Sequence, residues 1–149
     1  MKLGVGTYAI HSGDQAVVYD TFTSVPQAEF VRDYLEKMRI KKFTVVHSHW
    51  HLDHVAGDAV YDDSDVIATT LGRDALAKQK ADIESGKLWG PPPITPVRIP
   101  NVTFDDHKEL IVGRLSLNSG GSTFTASITA SYISRKISSC SPAIHSKTR

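Results

Sequence analysis

The chain has 149 residues, of which 40% are hydrophobic and 22% charged, and its formal net charge at pH 7 is +1. This length and composition are typical of one globular domain or of part of a larger one, and the near-neutral charge excludes a general electrostatic attraction to nucleic acid or membranes. The single cysteine, Cys140, excludes an internal disulfide, and because no apolar run is long enough to cross a membrane we expect a cytoplasmic protein.

The N-terminal segment predicts two short strands. Residues 7–10 and residues 16–19 are rich in apolar side chains, and the Ser-Gly-Asp sequence at 12–14 supplies a turn between them. Asp20 follows the second strand directly and ends it. We therefore expect the chain to start with two strands that are joined by a tight turn.

An amphipathic helix is predicted over residues 25–39. Ser24 and Gln27 resemble a capping box, and Pro26 fits the first turn of a helix, where a backbone N–H is not needed. Apolar side chains then recur at the three- and four-residue spacing of one helix face. These side chains are Phe30, Val31, Tyr34, Leu35 and Met38.

The next elements alternate between strand and helix. Residues 43–46 are short, apolar and β-branched, which predicts a buried strand, and residues 53–61 predict a short helix. A strand over 65–69 and a helix over about 71–85 follow. This alternation predicts an α/β layered fold. In open sheets of this kind, functional sites lie at the carboxyl ends of the strands.

The pattern becomes less regular after the second helix. Residues 90–93, Gly-Pro-Pro-Pro, break regular structure and predict a loop that lies beside the site as a flap. Residues 102–104 and 109–112 predict two strands of a hairpin, with Asp105 and Asp106 at its turn. Beyond residue 117 the sequence predicts no definite element.

A histidine cluster begins where the strand at 43–46 ends. The stretch HSHWHLDHVAGD, residues 47–58, contains four of the seven histidines of the chain. His49 and His51 lie two residues apart in an extended segment, so both rings should point to one side and supply half of a tetrahedral zinc site. Asp53 and His54 follow directly and suit a second ion. The cluster predicts one or two zinc ions, with manganese or iron as alternatives.

The individual residues of this cluster have other interpretations. Asp53 fits equally well as the N-terminal cap of the following helix. His47, at the strand end, is expected to be a packed neighbour of the site rather than a ligand. Trp50 and Leu52 alternate with the histidines and are expected to anchor the loop in the core. The order His-x-His-x-Asp-His between a strand and a helix nevertheless favours a metal site.

The stretch SHWHLDHVAGD at 48–58 resembles the signature of the metallo-β-lactamase superfamily, whose core motif is His-x-His-x-Asp-His. The stretch VVYDTF at 17–22 resembles the early strand of that family, which ends in a structural aspartate, here Asp20. The resemblance covers about residues 5–117 and implies an αβ/βα sandwich, here incomplete. It implies that His49 and His51 bind a first metal, and that Asp53 and His54 bind a second.

The resemblance also implies a function. Members of the superfamily are metal-dependent hydrolases in which a metal-activated water attacks an ester, thioester, lactam or phosphodiester. Asp53 would be the catalytic residue that orients this water. The expected partner is a small-molecule substrate, with an oligomer as a further expectation; nucleic acid is not favoured and no membrane partner is expected.

The second half of the family pattern does not match. That pattern continues with a histidine in a Gly-His-Thr context, a bridging aspartate and a last histidine. This chain has no acidic residue after Glu109, and neither His107, expected at the surface, nor His145 lies in such a context.

We therefore predict a domain over residues 1–117 and a basic tail rich in Ser and Thr over 118–149. A reading-frame change or a truncated gene product would produce such a switch in composition. The missing ligands make a second function an alternative, that of a catalytically inactive metal-binding remnant or an interaction module.

Overall fold

The computed structural model describes residues 6–89, 92–120 and 123–128. Within these residues there are eight strands, three α-helices and one 3-10 helix, Asp58–Tyr61. The strands are β1 (Tyr8–Ser12), β2 (Gln15–Tyr19), β3 (Lys42–Val46), β4 (Asp65–Thr69), β5 (Val102–Phe104), β6 (His107–Val112), β7 (Leu115–Gly120) and β8 (Thr123–Ile128). The α-helices are α1 (Val25–Lys37), α2 (Leu52–Val55) and α3 (Thr70–Glu84). Cys140 and His145 lie outside the described residues.

Five strands form the first sheet, in the order β1-β2-β3-β4-β5. β1 pairs antiparallel with β2, and the other neighbouring pairs are parallel. Tyr19 at the end of β2 lies beside Val46 at the end of β3. Because these two strands are parallel, the residues that follow them, Asp20 and His47, emerge at the same edge of the sheet.

Adjacent residues of the central strands serve two different cores. Val18 and Val45 face the core between the first sheet, α1 and the 3-10 helix. Val17 and Val46 face the core between this sheet and a second, antiparallel sheet of order β6-β7-β8. Alternation along a strand produces this division. The described residues therefore stack as three layers, with helices on one face of the first sheet and the second sheet on its other face.

Most of the predicted elements are confirmed. The two N-terminal strands, the helix at 25–39, the strands at 43–46 and 65–69 and the helix at 71–85 all form, with ends that differ by at most two residues from those expected. The domain boundary placed at residue 117 stays a prediction. β7 extends across that boundary, and β8 lies beyond it.

The hairpin predicted between residues 102–104 and 109–112 is wrong. Both strands form, but β5 pairs in parallel with β4 in the first sheet. β6 instead pairs antiparallel with β7 in the second sheet. The buried Phe104 and Val112 belong to the same core between the two sheets. The aspartates at 105–106 therefore lie where the chain passes from one sheet to the other, because each strand buries its apolar face against the opposite sheet.

The helix predicted over residues 53–61 is divided into α2 and the 3-10 helix. Gly57 lies at the break, where a Cβ atom would lie 2.2 Å from the Thr21 carbonyl oxygen and 2.3 Å from the Ala28 Cβ. The next residue, Asp58, is buried and its carboxylate accepts a hydrogen bond from the Thr21 hydroxyl at 2.7 Å. Close approach of the backbone to Thr21 and α1 thus requires glycine here.

The predicted face of α1 is only partly correct. Ser24 is the N-cap, but its hydroxyl donates to the Gln27 side-chain oxygen at 3.0 Å and no side chain caps the helix backbone. The buried face is centred on Ala28 and Leu35. Three apolar side chains lie on a line that is rotated away from the sheet and are exposed: Phe30, Tyr34 and Met38.

Arg32 ties α1 to the segment that follows the 3-10 helix. Its guanidinium donates two hydrogen bonds of 2.9 Å to the Asp63 carboxylate and one of 2.6 Å to the Val60 carbonyl. It also lies 5.0 Å from the ring centroid of Phe43. The hydrogen bonds from Arg32 lower the pKa of the Asp63 carboxyl to about 2.

This ion pair predicts how stability depends on pH. The folded pKa of Asp63 is about 2 and its unfolded pKa is about 3.9, so the carboxylate stabilises the fold above pH 4 and loses this contribution as the pH falls toward 2. Because Asp63 is half exposed, we expect Asp63→Asn to lower the free energy of unfolding by about 0.5–1 kcal/mol at pH 7. Urea unfolding should show about half of that loss at pH 3. Asp62→Asn, at an exposed neighbour, is the control, and an equal loss at both pH values would contradict the assignment.

A second prediction concerns Gly57. Gly57→Ala places a methyl group inside the packed contact with Thr21 and Ala28, so we expect the free energy of unfolding to fall by about 2–3 kcal/mol. Gly6→Ala is the matched control, because a Cβ there would have no neighbour closer than 3.9 Å. Urea unfolding midpoints measure both. Equal midpoints for the two variants would show that the chain moves aside at Gly57 without cost.

Candidate metal centre

The histidine cluster begins on the loop that follows β3, as predicted, and His54 lies in α2. The backbone N–H of His47 still donates to the Ile67 carbonyl at 2.9 Å, which continues the pairing with β4 by one residue. The chain turns at Ser48, whose N–H donates to Asp20 Oδ1 at 2.8 Å. His51 is the N-cap of α2, and Asp53 lies in its first turn. The site is thus built at the carboxyl edge of the first sheet.

Three of the four predicted ligands converge. One ligand atom each from His49, Asp53 and His54 lie within 4.8 Å of one another. The ring centroids of His49 and His54 are 4.0 Å apart, and His54 Nε2 is 3.4 Å from Asp53 Oδ2. Two imidazoles and one carboxylate form a donor set that zinc accepts in catalytic sites. These residues therefore fit a metal ion of that kind.

His51 lies beside this group rather than in it. Its ring centroid is 4.7 Å from that of His49, so both rings lie on the same side of the loop, as the alternation predicted. It also contacts the rings of Trp50 at 4.9 Å and Trp89 at 5.9 Å. The assignment of His49 and His51 to one ion, and of Asp53 and His54 to another, stays a prediction.

Asp20 orients His54. Its Oδ2 atom is 2.8 Å from His54 Nδ1, and a carboxylate can only accept, so Nδ1 carries the proton. In the neutral tautomer that this contact selects, Nε2 of His54 is the free nitrogen, and it faces Asp53 and His49. Asp20 is buried, and its φ of 63° lies in the left-handed region. A carboxylate that holds a metal-binding imidazole in this way sets its tautomer and increases its basicity.

Ser48 orients His49 in a similar way. The sequence analysis did not identify Ser48 as part of the site. Its hydroxyl is 2.8 Å from Asp20 Oδ2 and 2.9 Å from His49 Nδ1. The single hydroxyl proton goes to the carboxylate, so His49 Nδ1 must donate to the hydroxyl oxygen. His49 therefore also presents an unprotonated Nε2. The signal in the sequence was a hydroxyl residue between His47 and His49, directly after a buried strand.

The charge state of His49 suits metal binding. Desolvation by the surrounding protein, and then the neighbouring imidazoles of His54 and His51, lower the pKa of His49 below its usual value. The carboxylates of Asp20 and Asp53 act in the opposite direction and are weaker. The ring is therefore neutral near pH 7, as a ligand must be.

A buried network supports the loop from below. His47 Nε2 lies 2.9 Å from Asp58 Oδ2, and both side chains are almost fully buried. The Thr21 hydroxyl donates to the same carboxylate, and the Thr21 backbone N–H donates to the His54 carbonyl at 2.7 Å. The prediction that His47 is a packed neighbour is confirmed. This network fixes the backbone of His54 while Asp20 fixes its ring.

Trp50 and Leu52 anchor the other side of the loop, as predicted. Leu52 is buried in a core with residues of α3, and Trp50 packs against that core. His107, which was expected at the surface, is exposed. Asp53 does not cap α2 as its N-cap residue, since His51 holds that position.

The predicted flap lies beside the site in part. Gly90 and Pro91 lie outside the described residues. Trp89, Pro92 and Pro93 line a cavity of about 580 Å³ that also includes His51 and Asp53. The cavity and the cluster of ligands are therefore adjacent.

Comparisons with known proteins identify a protein family and the fold. A family model described as the metallo-beta-lactamase superfamily matches residues 3–126. The structure of DIM-1 metallo-beta-lactamase matches with a TM-score of 0.59 at 17% identity, over 84% of this chain and 55% of that one. The metallo-beta-lactamase from Pontibacter korlensis matches with a TM-score of 0.60 at 15% identity, over 82% and 54%. BLEG-1 B3 metallo-beta-lactamase matches with a TM-score of 0.56 at 18% identity, over 84% and 62%.

At these identities the likeness to solved structures shows the fold alone. The prediction of an incomplete metallo-β-lactamase-like αβ/βα sandwich is confirmed, because the chain spans little more than half the length of the structures that it matches. No curated protein matches the chain.

The hydrogen bonds of Asp20 predict an effect on metal affinity. Asp20→Asn removes the charge that holds His54 Nδ1 and Ser48, so we expect zinc affinity to fall about 10–100-fold, the usual effect of losing such a partner. Calorimetric zinc titration at pH 7 measures it. Asp62→Asn, an exposed carboxylate outside the cluster, should leave the affinity unchanged. Equal affinities for wild type and Asp20→Asn would show that the carboxylate does not control the ligands.

Proposed function

The chain belongs to the metallo-β-lactamase superfamily, and from that premise we propose that it is a metal-dependent hydrolase with its ion at His49, Asp53 and His54. The observation that supports this best is the convergence of these ligand atoms within 4.8 Å, at the strand edge where Asp20 and Ser48 set both imidazole tautomers. We propose zinc, with manganese or iron as alternatives, because the donors are two nitrogens and one oxygen.

Each residue of the proposed site has a defined task. His49 and His54 would hold the ion through Nε2, and His51, whose ring centroid is 4.7 Å from that of His49, would join them or serve a second ion. Asp53, whose side chain is about two-fifths exposed, would bind the ion. It would also orient the attacking water by accepting a hydrogen bond from it. When bound, the metal supplies Lewis acidity that polarises the scissile group and lowers the pKa of water. The substrate would be a small molecule with an ester, thioester, lactam or phosphodiester bond.

The described residues supply only part of such a site. In residues 6–89, 92–120 and 123–128, the group of His49, Asp53 and His54 is the one cluster of ligand residues found. We therefore expect zinc to bind more weakly than in a site with a full set of protein ligands. No helix of the described part is long and apolar enough to cross a bilayer.

The experiment that tests the proposal measures hydrolysis of a lactam, a lactone, a thioester and a phosphodiester with added zinc or manganese. We expect weak, metal-dependent turnover that falls at least 10-fold in His49→Ala and Asp53→Ala, because each removes a ligand atom. Asp62→Ala is the control. Rates that neither substitution changes, in a chain that still binds zinc, would favour the inactive remnant.

A longer version of the chain separates incompleteness from loss of function. If a second half like that of the solved structures were joined after residue 117, the added ligands should increase turnover by orders of magnitude. Absence of turnover in both forms would contradict the proposed function.

A further inference from the structure

The cavity beside the ligand cluster is lined mostly by apolar side chains. Fifteen residues line its volume of about 580 Å³, and among them only His51 and Asp53 are ionisable. Among the residues that the structure describes, no lysine or arginine contributes to the lining. Apart from those two residues, its polar side chains are the hydroxyls of Thr23, Ser24 and Thr95. The rest of the lining in the described part of the chain is apolar.

We propose that this cavity binds the apolar chain or ring of a neutral carbonyl substrate, such as an aliphatic ester, thioester or lactone. The inference rests on the proposed function and specifies its substrate class. The volume of the cavity lies within the 300–1,000 Å³ that small-molecule pockets enclose. Burial of apolar substrate atoms there is favourable, whereas a phosphate or carboxylate in the part of the cavity away from the metal ligands would be desolvated without a cationic side chain from the described lining.

The walls of the cavity are held in place by the fold. One wall is Val25 and Pro26 at the start of α1. Another part of the lining is formed by Leu88, Trp89 and the segment Pro92–Thr95. A preformed apolar surface of this kind loses little entropy when a ligand binds.

Hydrogen bonds connect the part of the lining that includes Leu88 and Thr95 to α3. The Leu88 N–H donates to the Asp82 carbonyl at 2.9 Å. The Val97 N–H donates to the Glu84 carboxylate at 2.9 Å, and the Val97 carbonyl accepts from Lys80 at 2.6 Å. The segment that leads from the cavity is therefore bonded to α3 through both the backbone N–H and the backbone carbonyl of Val97.

The orientation of a substrate follows from His51 and Trp89. The ring centroid of His51 is 5.9 Å from Trp89 on the cavity side and 4.7 Å from His49 on the metal side. Asp53 belongs to both the cavity lining and the ligand group. A substrate with its apolar part in the cavity would therefore place its carbonyl next to the ligand atoms. Trp89 is more than half exposed and offers an indole face at the edge of the cavity.

The test uses straight-chain primary amides as neutral carbonyl probes. Butanamide, hexanamide and octanamide are titrated calorimetrically into the full chain, with zinc and separately with EDTA. We expect affinity to rise roughly fourfold for each added methylene, the factor that burial of one CH₂ group implies. In EDTA, where no metal can accept the phosphate, octyl phosphate should bind more weakly than octanamide. Affinity that does not depend on chain length, or stronger binding of octyl phosphate in EDTA, would overturn the proposal.

Two variants test whether octanamide binds in this cavity. Trp89→Ser and Ile94→Ser should each lower the affinity for octanamide at least about tenfold, because each removes apolar lining. Leu71→Ser is the matched control, since Leu71 is an apolar residue of α3 that is 83% exposed and does not line the cavity. Wild-type affinity in both cavity variants would overturn the proposal. Trp89 is exposed, so its variant should fold even if Ile94→Ser does not.

The design separates this inference from the proposed function. Chain-length dependence in EDTA tests the cavity without the metal. If that dependence appears while His49→Ala and Asp53→Ala leave hydrolysis unchanged, the cavity proposal stands and the hydrolase proposal fails. If hydrolysis depends on both residues while octanamide affinity is that of the wild type in both Trp89→Ser and Ile94→Ser, the hydrolase proposal stands and the cavity proposal fails.

Discussion

Asp20 lies buried at the end of β2, and its carboxylate accepts hydrogen bonds from the N–H and hydroxyl of Ser48 and from His54 Nδ1. A buried carboxylate is costly unless its oxygens are paired, so the loop after β3 must fold where its donors meet these oxygens. The left-handed backbone conformation of Asp20 costs additional free energy, which these hydrogen bonds offset. Placement of the imidazoles of His49 and His54 therefore depends on this one side chain.

The other constraint is the close contact around Thr21. Its backbone holds the carbonyl of His54, while its hydroxyl bonds the Asp58 carboxylate that faces His47. Gly57 allows this approach, because any side chain there would collide with Thr21. The break between α2 and the 3-10 helix is thus a requirement of the site. It directs Asp58 inward and keeps Asp53 and His54 on the short helix beside His49.

Sequence reasoning predicted the parts of this site that depend on local patterns. The strand before the cluster and the packed role of His47 follow from alternation and spacing within about ten residues, whereas the order of the ligands stays a prediction. The contacts of Ser48 with Asp20 span 28 residues and depend on parallel pairing of β2 with β3, which no local pattern specifies. The wrong prediction of a hairpin between β5 and β6 has the same origin. Two neighbouring strands with a turn-like link are compatible with one sheet or with two, and only the shared core of Phe104 and Val112 decides it.

The described site draws its ligands and their supports from residues 20–58 alone, so the second sheet contributes no ligand atom to it. That sheet acts on the site through packing. Leu117 is fully buried against the face that Val17 and Val46 present, and those two valines belong to the strands that end in Asp20 and His47. This core therefore supports, from the side of the second sheet, the two strands that lead to the Asp20 carboxylate and to its donors on Ser48.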